Sequence, residues 1–198
     1  GSSLTHTQPV NEGELNKVTI SSFESDASES FVLKQLLAIN AVMFAVEIIV
    51  GLWAQSAGLI ADSLDMFADA AVYGVTLYAV GHSIQMKVRA AHFSGWLQLI
   101  LALGALMEVG RRFLFGSEPA STLMIGFGMV ALIANTICLF LIAKQKDNGA
   151  HMKASWIFSA NDVIANLGVI LAGILVAWTG SRYPDLIIGL LIGLIVLN

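Results

Sequence analysis

The stretch Ile60-Ala61-Asp62-Ser63-Leu64-Asp65-Met66-Phe67-Ala68-Asp69-Ala70 lies inside an otherwise apolar run from Gly58 to Gly81. Such a run is long enough for a helix to cross about 30 Å of hydrocarbon. Spacings of three and four put Asp62, Asp65 and Asp69 on one stripe of that helix, with adjacent carboxyl groups stacked along it. Like charges so arranged repel, and each ionisable side chain within a bilayer is costly in itself. The stripe makes structural sense only if it faces water, cations or both.

A partner for the stripe lies further along the chain, in Trp156-Ile157-Phe158-Ser159-Ala160-Asn161-Asp162-Val163-Ile164-Ala165-Asn166. On helices entering from opposite sides, Asp69 and Asp162 both fall near the midplane, about 15 Å deep. No Lys or Arg lies at that depth in any apolar run, so protein cations cannot neutralise these carboxylates. Protonation or a bound metal cation remains. A single protonated aspartate could simply tie helices together by hydrogen bonds, but three on a stripe facing a fourth favour a cation pathway.

The whole chain supports a membrane setting. Of 198 residues, 57% are apolar and 12% charged, against about 45–50% and about 25% in soluble domains. With mean hydropathy +0.78 and only three prolines, disordered and collagen-like classes are excluded. The single cysteine, Cys138, allows neither a disulfide framework nor a cysteine-based zinc site. We expect an all-α membrane protein with six transmembrane helices: Phe31 to Trp53, Gly58 to Gly81, Ala91 to Phe113, Thr122 to Ala143, Ala154 to Thr179, and a last one opening at Pro184-Asp185. Seven basic residues (Lys17, Lys34, Lys87, Arg89, Lys144, Lys146, Lys153) lie on one side and three (Arg111, Arg112, Arg182) on the other. That bias predicts cytoplasmic N- and C-termini.

Residues 1–30, with five acidic residues, one lysine and no apolar periodicity, are expected to form a flexible tail, beginning with a processing remnant at Gly1-Ser2-Ser3. Residues 31–198 are expected to form a six-helix transmembrane domain, read as a transport domain from the cation pathway that its aspartate stripes favour. The last span is short, about 18 Å from Leu186 to Leu197, so either the natural chain continues or this end has been cut.

Several residues outside the two stripes carry expectations of their own. Glu47 is placed to line the same cavity or to pack as a hydrogen-bonded residue. Glu108 and Arg112, four apart, suit a helix-end ion pair. His82, His92 and His151 lie near cytoplasmic span ends, where His151 is a candidate for collecting metal at the mouth. Gly189-Leu190-Leu191-Ile192-Gly193 suits close helix packing, and Asp185 at a helix start complements the dipole.

The motifs Ser56-Ala57-Gly58-Leu59-Ile60-Ala61-Asp62-Ser63-Leu64-Asp65-Met66-Phe67-Ala68-Asp69 and Asn161-Asp162-Val163-Ile164-Ala165-Asn166-Leu167-Gly168-Val169-Ile170-Leu171-Ala172-Gly173 resemble those of the cation diffusion facilitator family of metal transporters. Asn40, Glu47, Gly51 and Asn135 are weaker echoes, and the likeness runs from about Phe31 to Asn198. The resemblance implies six transmembrane helices and metal ligands at Asp65, Asp69 and Asp162. It departs at Phe158, where the family usually has His or Asp, so a fourth ligand has to come from water, Ser159, Asn161 or Asn166. The family's C-terminal cytosolic domain and its histidine-rich loop are not found in this sequence.

We therefore expect a proton-coupled exporter of divalent transition-metal cations in the cell's inner or plasma membrane, not an enzyme. Export direction comes from the resemblance alone. Metal and protons compete for the same carboxylate oxygens, and that competition provides antiport coupling. Zinc is placed first among the cargoes, before cadmium, iron, manganese and cobalt; no resident cofactor and no nucleic-acid partner are expected. Asp62, Glu47, Ser159, Asn161, Asn166 and His151 are further pathway candidates. A homodimer is expected through Ala102, Gly104, Ala105, Gly189 and Gly193. The alternative is a non-transporting, metal-binding membrane scaffold or receptor. An intramembrane aspartyl protease is disfavoured because Met129, not Asp, follows Gly126-Phe127-Gly128.

Overall fold

A computed structural model of the chain describes residues 12–79, 84–147 and 150–197. Among these residues there are six helices and no strand: α1 Glu12–Trp53, α2 Ala57–Ala79, α3 Ile84–Phe115, α4 Ser121–Ala143, α5 Ala150–Thr179 and α6 Tyr183–Leu197. Among the described residues, four segments are long and apolar enough to cross a membrane: Ala27–Trp53, Ala91–Phe115, Ser121–Ala143 and Ser155–Thr179. Helix α2 has 23 residues and carries the three aspartates, whereas α6 has 15.

The polar segment expected as a tail is helical wherever it is described, because α1 begins at Glu12. Helix propagation adds one hydrogen bond per residue fixed, and the long apolar span behind it supplies the nucleus. Lys17, Ile20, Phe23 and Glu24 nevertheless remain exposed along this extension.

Helix α1 packs along α2, and α4 along α5; α3 and α6 lie against α2 and each other. Between α2 and α5, the two helices carrying the aspartates, the contact is a much narrower seam. One apolar cluster, including Val50, Leu59, Met124, Val169 and Ile192, fills the bundle toward the Trp53 end. A second, built from Leu33, Leu36, Tyr73, Cys138, Ile142 and Met152, fills it toward the Ala79 end.

The distribution of polarity is inverted relative to a soluble protein. Asn40, Glu47, Asp62, Asp69, Asn135, Asp162 and Asn166 are buried, while Trp53, Trp96, Phe115, Phe140 and Trp178 are exposed. Large apolar side chains on the exterior, with carboxyl and amide groups buried inside, suit lipid rather than water.

The small residues expected at a dimer contact serve packing inside the chain. Ala102 and Ala105 are buried, and a Cβ on Gly193 would lie 3.0 Å from Leu106. On Gly189 it would meet the Ala57 carbonyl carbon at 2.9 Å. The Gly189/Gly193 pair thus does bring helices close, but within one protomer. Gly104 is half-buried and less tightly packed, since a Cβ there would lie 4.0 Å from Leu64.

Candidate functional site

The site begins with how α2 is started. After Gln55, whose backbone takes φ 51, Ser56 caps the helix: its Oγ accepts the Leu59 N–H at 3.1 Å. The first-turn N–H groups of Ala57 and Gly58 would otherwise lack partners; both donate to the Asp185 carboxylate, at 2.7 and 2.9 Å. Ser56 Oγ donates to the same carboxylate at 2.6 Å. Asp185 lies in the first turn of its own helix, as expected, but its carboxylate serves the start of α2.

From this fixed start the stripe runs inward. Asp62 and Asp69 are buried and Asp65 is half-buried. On α5 the facing stripe is Ser159, Asp162 and Asn166, all buried, again at spacings of three and four. Asn161 is exposed, which removes it from the candidates for a fourth ligand: one position before Asp162 is about 100° around the helix. Phe158 is 38% exposed, so its ring lies at the bundle surface.

Two polar layers cross the seam. In the layer nearer Trp53, Asn166 Nδ2 donates to Asp62 Oδ2 at 2.6 Å and Asn135 Nδ2 donates to Asn166 Oδ1 at 2.8 Å. Glu47 of α1 lies against Asp62 in the same layer. In the next layer, Asp65 and Asp69 each lie within hydrogen-bonding reach of Asp162, and the Tyr73 hydroxyl donates to Asp69 Oδ2 at 3.5 Å. Two carboxylates cannot donate to each other, so each such contact needs a proton or a cation between its oxygens.

Among the described residues no basic side chain lies in these layers. Among the described residues the one buried basic side chain is Arg112, paired with Glu108 at 2.6 Å, as their spacing predicts. Among the described residues no three His, Cys, Asp or Glu side chains stand as a finished metal site; the carboxyl groups converge without forming a closed ligand shell. His82 and the His151 side chain lie outside the described residues, while His92 is exposed and faces the Val88 carbonyl at 2.8 Å.

Tyr73 escaped the sequence reading, although it stands four residues after Asp69 and extends the same stripe. The Asp185 cap had no local signal, since 129 residues separate it from Ser56.

A family model described as the cation efflux transmembrane domain matches residues 33–198, taking in both aspartate stripes. The chain belongs to the cation efflux family. Similar cation efflux proteins include the metal cation efflux system protein CzcD of Cupriavidus metallidurans, 25% identical over 83% of this chain. The zinc transporter ZitB of Yersinia pseudotuberculosis is 25% identical over 91%. A Bacillus velezensis protein named as a cadmium, cobalt and zinc/H(+)-K(+) antiporter is 23% identical over 83%. The chain spans 56, 62 and 58% of the length of these three relatives, respectively. Membership agrees with the cation diffusion facilitator motifs on α2 and α5, and with a multi-pass membrane protein.

Proposed function

We propose that the chain works as a proton-coupled exporter of divalent transition-metal cations, with Asp65, Asp69 and Asp162 as ligands of the transported ion. The observation that carries this is the convergence of carboxyl groups from α2 and α5 across a narrow seam that holds no basic side chain among the described residues. Three carboxyl groups left without a counter-charge favour a dication or protons, and these exclude one another at the same oxygens. Ser159, buried one turn before Asp162, and water are the remaining sources of a fourth ligand.

In the bilayer all six helices cross, with both termini in the cytoplasm, so that α1–α2 and α4–α5 form two hairpins meeting at the aspartates. Rocking one hairpin against the other opens the seam to either side in turn. Zinc is the first cargo to test, supported by the names of the relatives; cadmium, cobalt, iron and manganese follow. We place the protein in the cell's inner or plasma membrane as a homodimer, its contact made by exposed apolar faces rather than by the small residues already used inside the chain. No enzymatic activity is part of this proposal.

The deciding experiment reconstitutes the chain in liposomes and follows Zn²⁺ uptake with an interior dye under an imposed pH gradient at fixed membrane potential. Uptake that follows the gradient is the expected result. Uptake indifferent to the gradient removes proton antiport, and no uptake of any of the five metals removes transport by this chain.

A further inference from the structure

The layer nearer Trp53 contains more oxygen than its hydrogen bonds use. Glu47 is fully buried, and neither of its carboxyl oxygens meets a hydrogen-bond donor. Its neighbour Asp62 is buried too and receives one donor, Asn166 Nδ2. That bond fixes the orientation of the Asn166 amide, because only its nitrogen can donate to a carboxylate. Asn166 Oδ1 then takes the Asn135 nitrogen, which leaves the buried Asn135 Oδ1 unpartnered. Every open polar atom of this layer is therefore an acceptor. A buried acceptor without a partner is costly, and a buried carboxylate more so.

We propose that Glu47 and Asp62 form a second, all-oxygen station for the divalent cation, nearer the Trp53 end than the Asp65/Asp69/Asp162 site. This rests on the proposed metal transport and adds a stop to its path. Two carboxylates match a dication in charge, and the two open Glu47 oxygens are of the kind that suits divalent ions without histidine or cysteine. The amide chain from Asn135 through Asn166 to Asp62 ties this station to α5, four residues from Asp162. Loading one layer thus bears directly on the helix that carries the other. An ion leaving the midplane would pass from one carboxyl layer to the next instead of crossing bare hydrocarbon.

The test is Zn²⁺ titration of the full chain in lipid nanodiscs, with crystals grown in Zn²⁺ and recorded at the zinc absorption edge. The expected result is two ions per chain, with one anomalous peak between Glu47 and Asp62. Glu47→Gln is expected to lose one bound ion and that peak, while Asp162→Asn loses the other ion and keeps it. Should Glu47→Gln fail to fold, Asp62→Asn is titrated instead, and the peak in the unaltered chain still decides. A single ion, bound at the midplane and insensitive to Glu47→Gln, overturns the station and leaves the midplane site standing: the layer then holds only water or a shared proton. Binding unaffected by Asp162→Asn, with a peak only at Glu47 and Asp62, overturns the midplane site instead.

Discussion

Asp185 in α6 and Ser56, the cap of α2, are joined by a hydrogen bond of 2.6 Å, and the same carboxylate closes the first turn of α2. A helix start held by a carboxylate satisfies orphan N–H groups and complements the dipole together. The helix that bears Asp62, Asp65 and Asp69 is thereby anchored to α6, with Gly189 seated directly on Ala57.

Asp185→Ala is expected to destabilise the chain by about 2–4 kcal/mol, because a charged cap is removed and buried donors lose their acceptor. Asp185→Asn, which keeps one acceptor oxygen, is expected to cost less. Thermal unfolding in mild detergent ranks the two.

Gly189→Ala and Gly126→Ala separate packing from helix propensity. A methyl group on Gly189 would stand 2.9 Å from the Ala57 carbonyl carbon, whereas one on Gly126 meets nothing within 4 Å. We expect the first to cost about 1–3 kcal/mol and the second to be neutral or to stabilise by up to about 1 kcal/mol. The same unfolding measurement compares them.

Asp162→Asn is expected to abolish metal transport while leaving thermal stability unchanged or raised, since it relieves repulsion among Asp65, Asp69 and Asp162. Loss of a group that merely orients a metal ligand costs about 10–100-fold, and loss of a direct ligand is expected to cost no less. Zinc uptake at the parent's rate would remove Asp162 from the site.

Transport is expected to slow as pH falls on the metal-loading side. Protons then occupy the carboxyl oxygens that must bind the cation, so the apparent metal affinity falls with pH while the maximal rate at saturating metal changes less. Initial uptake rates against metal concentration, at several pH values on that side only, provide the check.

Phe158→His is expected to raise zinc affinity relative to manganese, because it adds an imidazole one helical turn before Asp162 and nitrogen suits zinc better. With the parent ring 38% exposed, the imidazole has to turn inward to reach the ion. Parallel zinc and manganese titrations of parent and variant measure the ratio; an unchanged ratio means that the imidazole does not reach the ion.

Much of the architecture follows from local chemistry that a sequence displays. Runs of apolar residues long enough to cross hydrocarbon placed the six helices, since in lipid the backbone must satisfy its own hydrogen bonds, but α1 and α3 begin well before their apolar runs, at Glu12 and Ile84. The spacing of Asp62, Asp65 and Asp69 fixed their common face through the helical period alone, and Glu108 and Arg112 paired as their four-residue separation required. What only the tertiary structure decided depends on contacts between distant segments. The Asn135–Asn166–Asp62 chain spans three helices, and Asp185 reaches back across the bundle to Ser56. Asn161 and Asn166 both look like candidate ligands in the sequence, yet one is exposed and the other buried. Helical periodicity says which residues share a face; only the packing of α5 against α2 and α4 says which face is turned inward.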